Sequence, residues 1–255
     1  MEEWRLLDTE TPENAAMNLA IDEAIFLART KKAVPPTVRF WRNAQAVVVG
    51  YSQEAEAEVN LEVCKRENAK VVRRFSGGGT VYHDLGNMNY TIVIDADHRL
   101  MKGLGIPESY RVLCSGMIEG LRDLGITANF RPLSDIFVGE RKISGSAQSR
   151  KRGIVLHHGT LLVNSDLDVL VRVLDVSEEK LKGKRVTSIK KPVTRLRDEL
   201  GSEVDTATLM NALINGFERA FSTRLTPGKL SSLEEETTQN LYRDKYSRRE
   251  WNFWR

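Results

Sequence analysis

Apolar residues fall at helical spacing in three long stretches of the chain. Across 13–29 (ENAAMNLAIDEAIFLAR), Met17, Ile21, Ala24, Ile25 and Ala28 form one stripe, with Thr11 and Pro12 as a start signal. Across 108–124, Tyr110, Leu113, Met117, Leu121 and Leu124 repeat in the same way, and Gly125 can close the helix. Across 205–221, Leu209, Leu213, Phe217 and Phe221 recur every fourth residue. Shorter helices are expected over 60–67, after Asp166 and Asp168, from Ser177 with Glu178 and Glu179 in its first turn, and after the Pro227-Gly228 break. β-Branched and aromatic runs predict strands over 37–42, 45–51, 70–75, 88–94, 135–138, 141–146 and 154–163. The strands at 70–75 and 88–94 read as a long-looped hairpin at the edge of a core sheet. Strand clusters interrupted by helices predict an α+β fold, a mixed or antiparallel central sheet flanked by helices, in a single domain over 1–255.

Composition narrows the class. Of the 255 residues, 41% are hydrophobic and 29% charged, as in a globular protein. A net charge of only +3 argues against a nucleic-acid coat. The start, MEEWRLLDTE, has neither a basic opening nor an apolar core, and no run approaches the ~20 apolar residues that cross a bilayer. A cytoplasmic protein without membrane or nucleic-acid partners is expected. Cys64 and Cys114 both lie in helical patterns and are read as buried thiols, not as a disulfide or a metal pair.

The densest chemistry lies in 71–94, VVRRFSGGGTVYHDLGNMNYTIVI. Gly77, Gly78 and Gly79 bare one stretch of backbone, so its N–H groups can approach an anion. Arg73 and Arg74 add charge that grips phosphate or carboxylate in two-pronged fashion. A glycine-rich turn with solvated arginines is the plainer reading; His83 and Asn87 favour the anion site. Thr80-Val81-Tyr82 is strand-like and not a helix opening, which argues against a Rossmann site, and no Walker A loop or G-x-S-x-G elbow occurs.

A second segment, DIFVGERKISGSAQ over 135–148, holds a lysine followed by small residues. Alternation places Lys142 and Ser144 on one face and Arg141 and Ile143 on the other. A solvent-facing edge lysine is the alternative. One of His157 and His158 must point inward, and a satisfied core histidine is the alternative for either. Arginine, bare glycines and lysine together suit carboxylate activation by ATP, where an anionic carboxylate must meet an anionic α-phosphate. A lysine between them clamps both and stabilises the transition state.

RRFSGGGTVYHDLGNMNY resembles the RRxSGGGAVYHDxGNxN signature of the lipoate–protein ligases. GERKISGSAQ resembles their lysine segment, and HHGTLLVNSDLDVL the strand and helix after it. Weaker likenesses are NLAIDEAI, VRFWRNAQAVVVGYSQ, VTSIKKPVTRL and the terminal EWNF, so the resemblance runs in order along nearly the whole chain. It implies a fold related to biotin ligases and class II aminoacyl-tRNA synthetases. It implies formation of lipoyl-adenylate from lipoate and ATP, then transfer to a lysine of a lipoyl carrier domain. The carriers would be the acyltransferase subunit of a 2-oxoacid dehydrogenase, the glycine cleavage H protein or a relative. By position, Arg74 and the backbone of Gly79, Thr80, Val81 and Tyr82 would hold ATP. Lys142 would contact the lipoate carboxyl and the α-phosphate. Arg73, Ser76, Gly77, Gly78, His83, Asn87, Gly145 and His158 would line or brace the pocket. Mg²⁺ would accompany ATP, with Asp135 as a candidate ligand. Val47, Val48 and Val49 with Trp41 are candidates for the apolar slot, and the basic loop 183–196, with Lys184, Arg185, Lys190, Lys191 and Arg195, is a candidate mobile cover.

Two departures shape the expectation. The chain ends just after EWNF, where longer ligases continue into an accessory domain, so a separate small partner is expected to supply it. Thr80 stands where alanine is usual, as in octanoyltransferases, but those use a catalytic cysteine and none falls within 130–150. An ATP-independent octanoyl or lipoyl carrier transferase and a non-catalytic lipoate- or nucleotide-binding module are the alternatives.

Overall fold

The computed structural model describes residues 1–174 and 192–254. An eight-stranded mixed sheet forms its centre. The strands are β1 (Glu2–Leu7), β2 (Thr37–Trp41), β6 (Asn87–Asp95), β7 (Asn129–Arg131), β8 (Asp135–Val138), β9 (Arg141–Lys151), β10 (Ile154–Leu162) and β11 (Thr223–Pro227), in the order β11-β1-β2-β6-β10-β9-β8-β7. β1 runs parallel to both β11 and β2, and the remaining pairs are antiparallel. A second sheet, β4-β3-β5, is made of β3 (Ala46–Val49), β4 (Lys70–Arg73) and β5 (Val81–His83).

The expected α+β class, with helices flanking a mixed sheet, is the observed one. The long helices are α1 (Ala15–Thr30), α4 (Ile106–Asp123) and α7 (Thr206–Phe221). Shorter ones are α2 (Ala55–Glu58), α3 (Leu61–Arg66), α5 (Leu167–Leu174), α6 (Leu196–Leu200), α8 (Ser232–Leu241) and α9 (Arg249–Asn252), with a π-helical turn over Tyr242–Tyr246. The expected helix from Ser177 and most of the basic loop, 183–191, lie outside the described residues.

The two faces of the large sheet have different partners. On one, Trp4, Phe40, Tyr90, Ile92 and Val155 pack against Leu113, Met117 and Leu121 of α4 and Leu213 and Phe217 of α7. On the other, Leu7, Val93 and Leu156 pack against Ile21 and Ile25 of α1. β6 is buried at all nine positions, which only a central strand can be.

Three expectations are corrected. The strands at 70–75 and 88–94 are not a hairpin: β4 pairs parallel with β3 in the small sheet, while β6 lies between β2 and β10 in the large one. The glycine segment therefore links β4 to β5 within the small sheet, and the chain enters the large sheet only after β5. In β9, Ser144 opposes Ile136 and Lys142 opposes Phe137, so Ile143 is an extra residue at a bulge. A bulge shifts the alternation by one, so Lys142 shares its face with Gly145, not Ser144. The strands β1, β7 and β11 were not foreseen, because short outer strands rich in charge carry no clean alternation.

α4 and α7 approach closely through glycine. A Cβ on Gly216 would lie 2.6 Å from the carbonyl oxygen of Gly116 and closer still to the amide of Gly120. Gly216→Ala is expected to cost about 1–3 kcal/mol through overpacking, lowering the thermal midpoint by roughly 2–10 °C. An unchanged midpoint in a calorimetric scan would contradict this close approach.

Candidate active site

A cavity of about 430 Å³ opens where the small sheet faces the second face of the large one. Its floor includes one row of residues paired across five strands. Trp41 pairs with Asn89, Asn89 with Thr160, Thr160 with Gly145 and Gly145 with Asp135. All five line the cavity. Opposite them are Val48, Arg74, Gly78, Gly79, Thr80, Val81 and His83, with Leu19 of α1 at the side.

Lys142 enters this space because of two local features. The bulge turns it to the cavity face, and Gly145 leaves room for it. A Cβ at 145 would sit 2.6 Å from the lysine Nζ and 2.8 Å from its Cε. Nζ makes a 2.8 Å ion pair with Oδ1 of Asp135, which is buried, while the lysine side chain is 28% exposed. The amine is thus oriented yet still reachable from the cavity.

Arg74 supplies the fixed charge. Its guanidinium is buried and donates to the Ser76 hydroxyl, to the carbonyl of Val48 and to those of Gly77 and Gly79. Among the described residues no carboxylate pairs with it. Burial, with Arg73 nearby, lowers its pKa to about 10, so it stays cationic at neutral pH. A buried cation without a counter-ion makes a cavity attractive to an anion. The same bonds curl the glycine segment round the guanidinium. Gly78 has φ +85°, a conformation that side chains disfavour.

A polar layer fixes the histidines. His158 Nε2 lies 2.6 Å from the Ser76 hydroxyl, and its Nδ1 lies 3.2 Å from Asp22 Oδ2. Asp22 also pairs with the fully buried Arg39 at 2.6 Å and accepts from Thr91. Burial alone would raise the Asp22 pKa, but the hydrogen bond from His158 and the charge of Arg39 outweigh it, and the net shift is downward. His83 accepts from Asn43 at Nδ1 and meets the Thr160 hydroxyl at Nε2. Burial, then Arg74, lowers its pKa to about 3.

The other expected residues do not line the cavity, though Ser76 and Gly77 hydrogen-bond residues that do. Arg73 is fully buried outside the cavity, where it donates to the carbonyls of Gly50, Gln53, Trp251 and Asn252 and ties the C-terminal EWNF segment to the 50–53 turn. Ser76 and Gly77 stand behind the lining, and Asn87 closes the 84–87 turn by accepting from the Asp84 amide. Tyr82, Val47 and Val49 pack into a separate core, so of the predicted apolar slot only Val48 and Trp41 face the cavity. His157 is the inward histidine on the helix face, against Tyr90 and Tyr110. Sequence reading did not find Leu19, Asn89, Ala147 or Thr160. Cross-strand pairing places Asn89, Ala147 and Thr160 there, and α1 supplies Leu19. Among the described residues no group of three His, Cys, Asp or Glu side chains gathers at metal-binding distance, and no helix is long and apolar enough to cross a membrane.

Residues 14–218 match the family of the lipoyl protein ligase A/B catalytic domain. The chain belongs to that family. Lipoate-protein ligase A subunit 1 of Thermoplasma acidophilum is 35% identical, over 98% of this chain and 96% of the relative. Octanoyltransferase LipM of Kyrpidia tusciae is 34% identical, over 99% of each. A solved bi-partite lipoate protein ligase with its E2 lipoyl domain, from Thermoplasma acidophilum, superposes with a TM-score of 0.86 at 36% identity, covering 99% of this chain and 97% of that one. A lipoate-protein ligase A bound with ATP superposes at 0.85 with 34% identity, covering 99% of each. This lipoyl-ligase-family chain is therefore similar to both ligases and transferases along its length.

His157, like His83, is held near a pKa of about 3 by burial, with smaller effects from His158 and Arg150. Both imidazoles stay neutral when folded, whereas unfolded histidine protonates near pH ~6.5. The unfolded chain then binds more protons, so stability is lost as pH falls below about 6.5, by up to about 1.4 kcal/mol per pH unit for each histidine. Urea midpoints measured from about pH 7.5 down to about pH 5.5 are expected to fall, and less steeply in His157→Asn. An equal slope in that variant would contradict the assignment.

Proposed function

We propose that this chain is an ATP-dependent lipoate–protein ligase and that 1–255 acts as one catalytic domain. The observation that carries the reading is the Lys142 amine set over Gly145, in a cavity made cationic by Arg74 and walled by bare backbone at Gly78 and Gly79. In the first step a lipoate carboxylate oxygen attacks the α-phosphorus of ATP, a P–O bond forms and pyrophosphate leaves. Lys142 holds the carboxyl oxygen and the α-phosphate together, and Arg74 offsets their charge. In the second step the amine of a carrier lysine attacks the acyl carbonyl, AMP leaves and an amide forms. Mg²⁺ is usually held by one or two carboxylates plus substrate phosphates, and Asp135 is the cavity carboxylate placed to serve. The metal would add neutralising charge to the phosphates.

The transferase reading is favoured by the 34% identity to an octanoyltransferase. Its chemistry needs a thiolate. The chain has two cysteines, Cys64 and Cys114, both buried and neither in the cavity lining. Burial raises each thiol to a pKa of about 11. Cys114 lies by His157 on the helix face of the sheet. These positions support the ligase.

The bi-partite relative with its E2 lipoyl domain supports two partners: a lipoyl carrier domain, whether of a dehydrogenase acyltransferase subunit or of an H protein, and a separate small protein supplying the accessory domain. The reactions would run in the cytoplasm.

Carrier domain incubated with lipoate and MgATP, with and without such a partner, is expected to gain a lipoyl group by intact-mass measurement. No gain without ATP is expected from octanoyl-carrier protein. Lys142→Ala is expected to slow adenylate formation by about 10²–10³-fold. Acyl transfer without ATP, together with acylated Cys64 or Cys114, would replace the ligase reading with the transferase one.

A further inference from the structure

We infer that Asn89 sets the acyl-chain specificity of the cavity, selecting an acid with a hydrogen-bond acceptor near its far end, such as the sulfurs of a dithiolane, over a plain alkyl acid. The inference rests on the acyl-site reading above. It starts from Asn89 itself, which is 1% exposed, lines the cavity and has no hydrogen-bond partner for Nδ2.

The direction of its hydrogen bonds is fixed from a distance. Asn18 Nδ2 donates to the carbonyls of Thr11 and Arg42, and its Oδ1 accepts from the Thr11 amide and Arg39. These partners fix its amide orientation. Asn18 Nδ2 also donates to Asn43 Oδ1 at 2.8 Å, so Asn43 must present Nδ2 to His83 Nδ1, at 3.1 Å. His83 is neutral, and with Nδ1 accepting, its proton sits on Nε2. Nε2 therefore donates to the Thr160 hydroxyl at 2.9 Å, and that hydroxyl donates to Asn89 Oδ1 at 2.8 Å. The relay leaves Asn89 with its oxygen satisfied and its amide N–H groups unpaired. Turning the amide over would take from the Thr160 hydroxyl proton the acceptor it has in Asn89 Oδ1.

The place of this donor matches the end of an acyl chain. Lys142 Nζ lies over Gly145. Asn89 is two strands away through Thr160, about 10 Å at ordinary strand spacing. Extended covalent chains advance about 3.5 Å per three bonds, so the seven carbon–carbon bonds of an eight-carbon acid reach ~8 Å. With its carboxyl at Lys142 and its chain along the row, such an acid ends beside Asn89, with Leu19 and Trp41 around it. A hydrocarbon end there leaves the donor unpaired and buried, which costs affinity. A sulfur is a weak acceptor, but it is one.

The test is calorimetric titration of the protein with lipoate and with octanoate, without ATP. Wild type is expected to bind lipoate at least about fivefold more tightly. In Asn89→Leu that ratio is expected to fall to about one, chiefly through weaker lipoate binding. An equal ratio in wild type and variant overturns the inference while leaving the ligase reading intact. If neither acid binds the wild type, the acyl-site reading fails and this inference with it. Should the leucine variant not fold, wild type decides alone. An octanoate analogue with an ether oxygen replacing a methylene near its far end is expected to bind more tightly than octanoate, and equal or weaker binding overturns the inference.

Discussion

Lys142 occupies the cavity because position 145 has no side chain and because one extra residue, Ile143, interrupts the alternation of β9. Remove either and the amine is displaced or points the other way. With both, it rests 2.8 Å from Asp135 above a row of residues crossing five strands. The rest of the site is arranged about that amine. The cross-strand row supplies a channel away from it, and the glycine segment supplies bare backbone opposite.

The charge balance explains why the surrounding layer is so heavily hydrogen-bonded. Two arginines, Arg39 and Arg74, are buried near the cavity. Arg39 is neutralised by Asp22, while Arg74 meets only hydroxyl and carbonyl oxygens among the described residues. Burying a charge is expensive unless its donors are satisfied, and the loop carbonyls satisfy them. The loop owes its shape to that guanidinium, and the cavity owes its positive character to the missing counter-ion. Neutral His83 and His158 add no competing charge.

Much of this was legible in the sequence, and the failures have physical causes. The long helices and central strands declared themselves through periodicity, because each buries a defined face. The glycines, Arg74, Lys142, Gly145 and His158 stood out because few residue types do what they do. Arg73 looked equivalent to Arg74, yet adjacent residues on a strand face opposite ways, and it holds the C-terminal segment instead. The bulge was invisible because Ile143 fits either alternation. Asn89 ends the glycine-segment signature and Thr160 lies in HHGTLLV, but neither was a predicted site residue, and their place in the cavity comes from pairing across β6, β9 and β10. The hairpin expected around the glycines failed because β5 joins β3 before the chain enters the large sheet.

On the proposed function, one amine and one stretch of bare backbone serve a fatty acid and a nucleotide in the same cavity. A crystal structure with a non-hydrolysable lipoyl-adenylate analogue tests it most directly. Lys142 Nζ is expected within hydrogen-bonding distance of both the acyl carbonyl and the phosphate mimic, with the nucleotide against residues 78–81 and the acyl chain lying towards Trp41. An analogue bound elsewhere, with Lys142 still paired only to Asp135, would contradict it.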